Sequence, residues 1–345
     1  MTTTNLRRVP TGAVLSVSLL LVAAVVAGIV IGPVGLPPGR VLLELFDRLP
    51  LISVDSGLTD REAAIVWELR FPRVVLGAIV GAVLASAGGA YQGVFRNPLA
   101  DPYLLGVAAG AGFGATLAIV AAGSTAPLVP VAAFAGAMAA VALTYALGGV
   151  AGARRTGATL LLAGIAVAAF FTAAQTFVQQ QNADTVRAVF AWILGRLSTA
   201  GWSEVRLLLP YAAIAIVTVL LHRRLLDVLA VGEEEAEALG VQAGRVRLLV
   251  VLAATLGTAA AVAVSGLIGF VGIVVPHAVR LVWGSSYRTI LPVATIAGAG
   301  FLVLADLVAR TVLSPAEVPI GVITAFVGGP FFAVVLRRAS RGWSV

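Results

Sequence analysis

The sequence predicts an all-α, polytopic membrane protein with ten transmembrane helices, in which spans 2–5 and 7–10 form an inverted repeat. Hydrophobic residues make up 60% of the 345 and charged residues 11%, against about 45–50% and 25% in an ordinary soluble domain. Mean hydropathy is +1.03, so the chain cannot build the polar shell of a soluble enzyme, nor is it a coiled coil or a disordered segment. The apolar residues also gather into runs near the roughly 20 that cross about 30 Å of hydrocarbon.

The spans read 12–35, 74–94, 103–122, 127–150, 158–180, 207–222, 248–266, 268–283, 290–310 and 318–336. The first follows Arg7 and Arg8, and its long apolar run with no convincing cleavage site marks a retained helix rather than a signal peptide. The eighth is short and rich in glycine (Gly266, Gly269, Gly272), which suits a broken or re-entrant segment. Spans three and nine share an echo, Ala109 to Phe113 and Ala297 to Phe301, both reading Ala-Gly-Ala-Gly-Phe. With span two running inward and span seven outward, two copies of a four-span unit would have inverted topology, as in many transporters. Residues 1–345 are read as one transmembrane domain, with 223–247 its largest cytoplasmic loop.

Orientation follows from arginine. Placing both termini in the cytoplasm puts 14 of the 23 basic residues inside, and five of the nine outside fall in the long 36–73 segment, which counts less. The net charge of +7 is then a topology signal and not a nucleic-acid signature. The outer 36–73 stretch holds amphipathic pieces at Val41 to Leu49 and Glu62 to Leu69, and 181–206, with Trp192 and Trp202, suits an interfacial helix. The chain has no Cys and two His, His222 and His277, which excludes disulfides, thiolate chemistry and a histidine-based metal or haem centre. All its basic residues are arginine, so it lacks the lysine of a nucleotide-binding P-loop. ATP-driven work has to come from another chain.

Few polar groups enter the spans. Asp306 is the one acid within a predicted span, and Arg310, one turn on, is its expected local partner. Thr172, Gln175, Thr176 and Gln179 share one face of span five, fit either to line a pathway for a polar solute or to bond between helices. Arg70 and Arg73 flank Phe71-Pro72, which reads as a helix start. Cations at a helix N-terminus oppose its dipole, so the pair is either an interface anchor or a patch for an acidic external partner. Gly28/Gly32, Gly77/Gly81 and Gly148/Gly152 have the spacing of close helix contacts and read as ordinary packing. In the 223–247 loop, Val231 to Val241 predicts a short helix with early acids and a stop at Gly240, on which Ala236, Leu239 and Val241 form a small apolar face.

Several segments taken in order resemble the permease subunits of the iron-siderophore, haem and cobalamin ABC importers. They are Arg70-Phe-Pro-Arg73, Arg96-Asn-Pro-Leu-Ala-Asp-Pro102, Leu105 to Gly112, Glu234 to Val241, Gly266 to Arg280 with its Pro276-His277-x-x-Arg280 element, and Pro319 to Thr324. The resemblance covers nearly the whole chain. It implies a homodimer with the path on its two-fold axis, two ATP-binding subunits below and an extracytoplasmic substrate-binding protein above, in the cell (cytoplasmic or inner) membrane. It implies docking of the binding protein on Arg70, Arg73 and Arg310, and coupling to the ATPase through Glu234, Glu235, Ala236, Leu239 and Gly240. Asn97, Leu99, Thr156 and Gly157 become candidates for the cytoplasmic gate, while Pro276, His277 and Arg280 are expected to be structural and not metal ligands. ATP and Mg would sit on the partner ATPase, with no cofactor and no catalytic residue in this chain. The expected activity is import of a ferric siderophore or related chelate by alternating access, with haem or cobalamin as the alternative. An ion-coupled secondary transporter is disfavoured by the scarcity of intramembrane carboxylates, a membrane enzyme by the lack of a His/Asp/Glu cluster, and an exporter by the external arginines and the separate coupling loop.

Overall fold

The computed structural model describes residues 10–48, 54–150, 157–198 and 201–341, and those residues contain helices and no strands. Ten helices follow the ten expected spans. They are α1 (Thr11–Val30), α4 (Phe71–Phe95), α5 (Val107–Ala122), α6 (Leu128–Val150), α7 (Gly157–Gln181), α9 (Trp202–Leu221), α12 (Ala243–Ser265), α13 (Val271–Trp283), α14 (Tyr287–Thr311) and α15 (Ile320–Arg341). Between them lie the shorter α2 (Pro38–Asp47), α3 (Asp60–Ala64), α8 (Val186–Ile193), α10 (Arg223–Val231) and α11 (Glu233–Ala238). Among the described residues seven helices are long and apolar enough to cross a membrane; α5, α13 and the Ile320–Val335 part of α15 are shorter apolar stretches.

Span two differs from expectation at its start. Residues 60–95 form one continuous helix, with a π-helical stretch at Ile65–Arg70 between α3 and α4. Pro72 is therefore not a helix start. It sits inside the helix, where the missing N–H and ring would break an α-helical ladder; the wider π turn just before it, closed by Phe71 N–H to the Val66 carbonyl, accommodates that break. Glu62 to Leu69 is accordingly no separate amphipathic piece. Trp192, expected at an interface, is buried in the core. The aromatic group at this end is instead Trp67, Phe71 and Trp202, with ring centroids 5.2 and 5.6 Å apart in succession. Trp67 Nε1 donates to Glu44, which also accepts from Ser56 Oγ at 2.6 Å, and this ties α2 to the π turn.

Helix α4 is the hub. From Val83 to Val94 every residue is buried, and α4 packs against α9, α10, α12, α13 and α14. Its small residues permit this, because lipid supplies no hydrophobic drive between helices and backbones must come close. Gly81 lies against the Gly298 carbonyl of α14, and Gly88 against the Gly272 carbonyl of α13.

The pairing of helices supports the inverted repeat. Helix α4 packs on α14 as α12 packs on α6; α5 packs on α6 and α7 as α13 packs on α14 and α15; α6 meets α7 as α14 meets α15. The two first helices meet each other, with Tyr91 Oη and Thr255 Oγ1 2.7 Å apart. The second helix of each unit is short: α5 and α13 span about 24 and 20 Å at 1.5 Å per residue. The chain before each dips into the bundle, and the two approaches touch, for Tyr103 Oη donates to the Ile268 carbonyl at 3.1 Å and accepts from Ile268 N–H at 3.2 Å. Segment 266–270 is thus a non-helical break between α12 and α13, as its glycines suggested. The Ala-Gly-Ala-Gly-Phe echo, in contrast, is not the signature of the repeat. It matches α5 with α14, whereas chain order matches α5 with α13; each copy serves its own close contact, Gly110 with Gly136 and Gly298 with Gly81.

A Gly88→Ala variant would drive a methyl group into the Gly272 carbonyl. Overpacking of this kind costs about 1–3 kcal/mol, so thermal unfolding in detergent should show that loss. Gly12→Ala, whose new Cβ meets nothing within 4 Å, should be neutral or slightly stabilising. Equal melting of the two variants would contradict the backbone contact.

Candidate functional site

At the end of α4 that carries Arg73, three arginines and two acids form one cluster. Arg73 bonds Asp306 through Nε (3.0 Å to both oxygens) and Nη2 (2.8 Å), and bonds Glu317 through Nη1 at 2.7 Å and Nη2 at 3.0 Å. Arg310 Nε lies 3.6 Å from Asp306. The expected local pair of Asp306 and Arg310 is therefore present, but Arg73 is the closer partner of Asp306, reaching across from α4.

Arg70 and Arg310 turn inward and are 4% and 2% exposed. Arg70 donates to the carbonyls of Ile29 and Val30 at 3.0 and 2.8 Å and to that of Val34; Arg310 donates to the Gly28 carbonyl. These are the carbonyls at and beyond the C-terminus of α1, which have no partner within the helix and draw cations through its dipole. Gly28 and Gly32 make room: a Cβ on Gly32 would stand 2.9 Å from the Arg70 guanidinium, and one on Gly28 3.5 Å from that of Arg310. Gly32 thus seats a guanidinium, while Gly28 serves the helix packing expected of it, with Val74 and Val303 closer than Arg310. The three arginines of the expected docking site are placed in contacts within the chain. Two are committed to α1 and the third is held between two carboxylates of its own chain.

The polar face of α7 is only partly shared. Thr172 and Thr176 are exposed and Gln179 half-buried, with Thr176 Oγ1 bonded to the Thr172 carbonyl at 2.9 Å. Gln175, at 8% exposure, leaves that face and packs against α5, where its Oε1 lies 2.8 Å from the place a Cβ on Gly112 would take.

At the opposite end of the bundle, Asn97 is half-buried and Leu99 exposed. Asn97 Oδ1 accepts from Leu99 N–H at 2.9 Å, a turn that fixes the loop after α4. Thr156 lies outside the described residues, and Gly157 is the first residue of α7. Helix α11 ends in a Schellman arrangement: Gly240 takes a φ of +80°, and Val241 N–H returns to the Ala236 carbonyl at 2.9 Å. The apolar face expected there is split. Ala236 is fully buried within the chain, while Leu239 at 73% exposure points out beside exposed Glu234, Glu235 and Glu237. Pro276, His277 and Arg280 make contacts within the chain. Pro276 lies beside Gly89 of α4, the His277 ring packs edge-on against Phe331 at 5.8 Å, and Arg280 donates to Gln92 and Tyr287 at 3.2 and 3.1 Å.

Two acids that sequence reasoning did not single out take central places. Glu317 completes the arginine cluster. Asp227 of α10 accepts from Ser286 Oγ and Tyr287 N–H at the start of α14 and pairs with Arg288 at 3.4 Å. Only the lack of a partner for Arg73 within its own helix hinted at the first, and nothing in the local sequence marked the second.

The Asp306 and Glu317 legs of the cluster differ in burial, with side-chain exposures of 3% and 32%. Asp306→Ala removes the buried carboxylate shared by Arg73 and Arg310 and should destabilise by about 3–5 kcal/mol. Glu317→Ala removes a half-exposed partner and should cost about 0–1 kcal/mol. Thermal unfolding of the two variants in detergent checks this, and equal losses would contradict the cluster's burial.

Residues 19–338 match the FecCD transport family. The uncharacterized ABC transporter permease protein YvrB of Bacillus subtilis is 43% identical over 81% of this chain and 80% of its own. The cobalamin import system permease protein BtuC of Halobacterium salinarum is 43% identical over 81% and 75%. The hemin transport system permease protein HmuU of Yersinia pestis is 40% identical over 79% and 83%. Among solved structures, a metal-chelate type ABC transporter in an inward-facing conformation superposes with a TM-score of 0.82 at 28% identity, over 95% of this chain and 99% of the other. The chain belongs to the FecCD transport family and is an ABC importer permease, a translocation component in the membrane rather than an enzyme.

Proposed function

We propose that this permease carries a ferric siderophore or related metal chelate into the cell, as a homodimer driven by two ATP-binding subunits and supplied by an extracytoplasmic binding protein. Helix α11 carries the reading. It is short, capped by Gly240, and presents Leu239 among three glutamates on the largest loop of the expected cytoplasmic face. An exposed leucine in an acidic rim suits a shallow cleft on a soluble partner. ATP and Mg belong to that partner, since this chain has no P-loop lysine. Both termini lie in the cytoplasm, as the arginine distribution favours.

The arginine cluster is then the outer docking platform in a narrower sense than three free guanidiniums. Arg73 and Glu317 are the members with exposed surface, and Arg70 and Arg310 hold them in place from beneath. The exposed face of α7, with Thr172 and Thr176, lines the path at the two-fold axis, and Asn97 and Leu99 stand near its exit. ATP binding to the partner rocks α11 and opens the path alternately to each side.

An ion-coupled secondary transporter would need a carboxylate free to cycle, and Asp306 is instead neutralised by two arginines. The alternative substrates are haem and cobalamin, favoured by the names of the 40% and 43% identical relatives.

Uptake into vesicles holding the chain with its ATPase, given loaded binding protein and iron-labelled siderophore, should require ATP inside and cease with a hydrolysis-deficient ATPase. Transport of hemin or cobalamin in place of the siderophore would move the substrate to the alternative. Uptake driven by an ion gradient without ATP would contradict the proposal.

A further inference from the structure

Helix α14 joins two charged clusters at opposite faces of the molecule. Near its C-terminus Asp306 meets Arg73 and Arg310. At its N-terminus Ser286 is the capping residue, yet its side chain makes no capping hydrogen bond. Asp227 of α10 does that work from another element. One carboxylate oxygen accepts Tyr287 N–H, and the other accepts Ser286 Oγ at 2.8 Å and faces Arg288 Nε at 3.4 Å. A carboxylate there also faces the positive end of a 25-residue helix.

The first turn of α14 needs this support. Pro292 lies one turn in and gives no N–H to the Arg288 carbonyl, so the ladder is interrupted where Asp227 grips it. Beyond Pro292 the helix is clamped to α4 by the Gly81–Gly298 backbone contact. The same joint reaches α13: Tyr287 Oη accepts from Arg280 at 3.1 Å, Arg280 donates to Gln92 Oε1 at 3.2 Å, and Gln92 Nε2 donates to the Gly272 carbonyl at 3.3 Å. On the other side, α10 leads through Gly232 directly into α11.

We propose that Asp227 is a positioning residue that couples displacement of α10–α11 to α14, and that α14, about 37 Å long, carries it as a strut to the Asp306–Arg73–Glu317 cluster at the far face. The inference rests on the reading that α11 docks an ATPase, and adds the element by which the event there is felt at the opposite end. Coupling of this kind can be carried by a rigid element held at both ends, and α14 is held by Asp227 of α10 at one end and, through its own Asp306, by Arg73 of α4 at the other.

The chain has no cysteine, so Val312→Cys, just beyond α14 and 61% exposed, takes a single environment-sensitive fluorophore. In the assembled transporter in lipid vesicles, ATP should change its signal. Asp227→Ala should cut that change by at least about tenfold, since it removes the charge-assisted bonds to Tyr287 N–H and Ser286 Oγ, each worth about that factor or more. ATPase retention and hydrolysis should stay within about twofold, because Asp227 lies outside α11. Asp227→Asn, which keeps one acceptor for Tyr287 N–H, should fall between. A full-sized response at Val312→Cys in Asp227→Ala would overturn the inference. So would loss of the ATPase in both Asp227 variants, which would make Asp227 part of the docking surface. No response with Asp227 intact while ATP is hydrolysed would overturn it too, whereas failure of the unaltered chain to bind any ATPase would overturn the functional reading beneath it.

Discussion

A charge or carbonyl carried into an apolar helix bundle must find its partner inside the chain, and the three arginines near the start of α4 and the end of α14 show how far that requirement reaches. Taking a guanidinium out of water costs several kcal/mol unless it is paired and hydrogen-bonded. Arg70 and Arg310 meet the requirement with the terminal carbonyls of α1, and Arg73 meets it with Asp306 and Glu317. One cluster thus fixes α1 against α14, α14 against α4, and the loop before α15 against both. Gly32, just beyond α1, and the position of Asp306 on α14 both serve this geometry.

Close backbone contact is the second organising device. Helix α4 is surrounded because its small residues let α13 and α14 approach to backbone distance. The short second helices of the two repeat units leave the preceding segments to enter the bundle, where Tyr103 and Ile268 join them. Segments entering from opposite faces therefore share hydrogen bonds deep in the bundle. Non-helical backbone inside the bundle is tolerated there because it is buried in protein and satisfied by the chain's own groups.

Much of this was legible in the sequence. All ten helices, the broken eighth segment and the short acidic helix before Gly240 follow from hydropathy, glycine placement and cap chemistry, because each is a local property. What escaped depends on distant residues. Pro72 read as a helix start because nothing in the local sequence marks the π turn that tolerates it, and the partners of Arg70 at that turn's end lie about 40 residues back. The inward bonds of Arg70 and Arg310 escaped because their acceptors are backbone carbonyls, which no residue type advertises. Asp227 was invisible because the helix it caps begins some 60 residues later. The Ala-Gly echo misled for the opposite reason: two helices under the same steric demand reached the same five residues without being equivalent.

The energetic division of labour remains the centre of the account. On the proposed reading this chain supplies a path and its supports, and the input of work enters at α11 from another protein. Leu239→Cys offers a direct measurement, since no other cysteine competes. In native membranes containing the ATPase subunit, a short bifunctional thiol–amine reagent should cross-link that position to the ATPase in high yield, with a yield that changes on adding ATP. A cross-link confined to copies of this chain, or a yield to the ATPase no higher than from a cysteine placed at exposed Val312 on the opposite face, would contradict it.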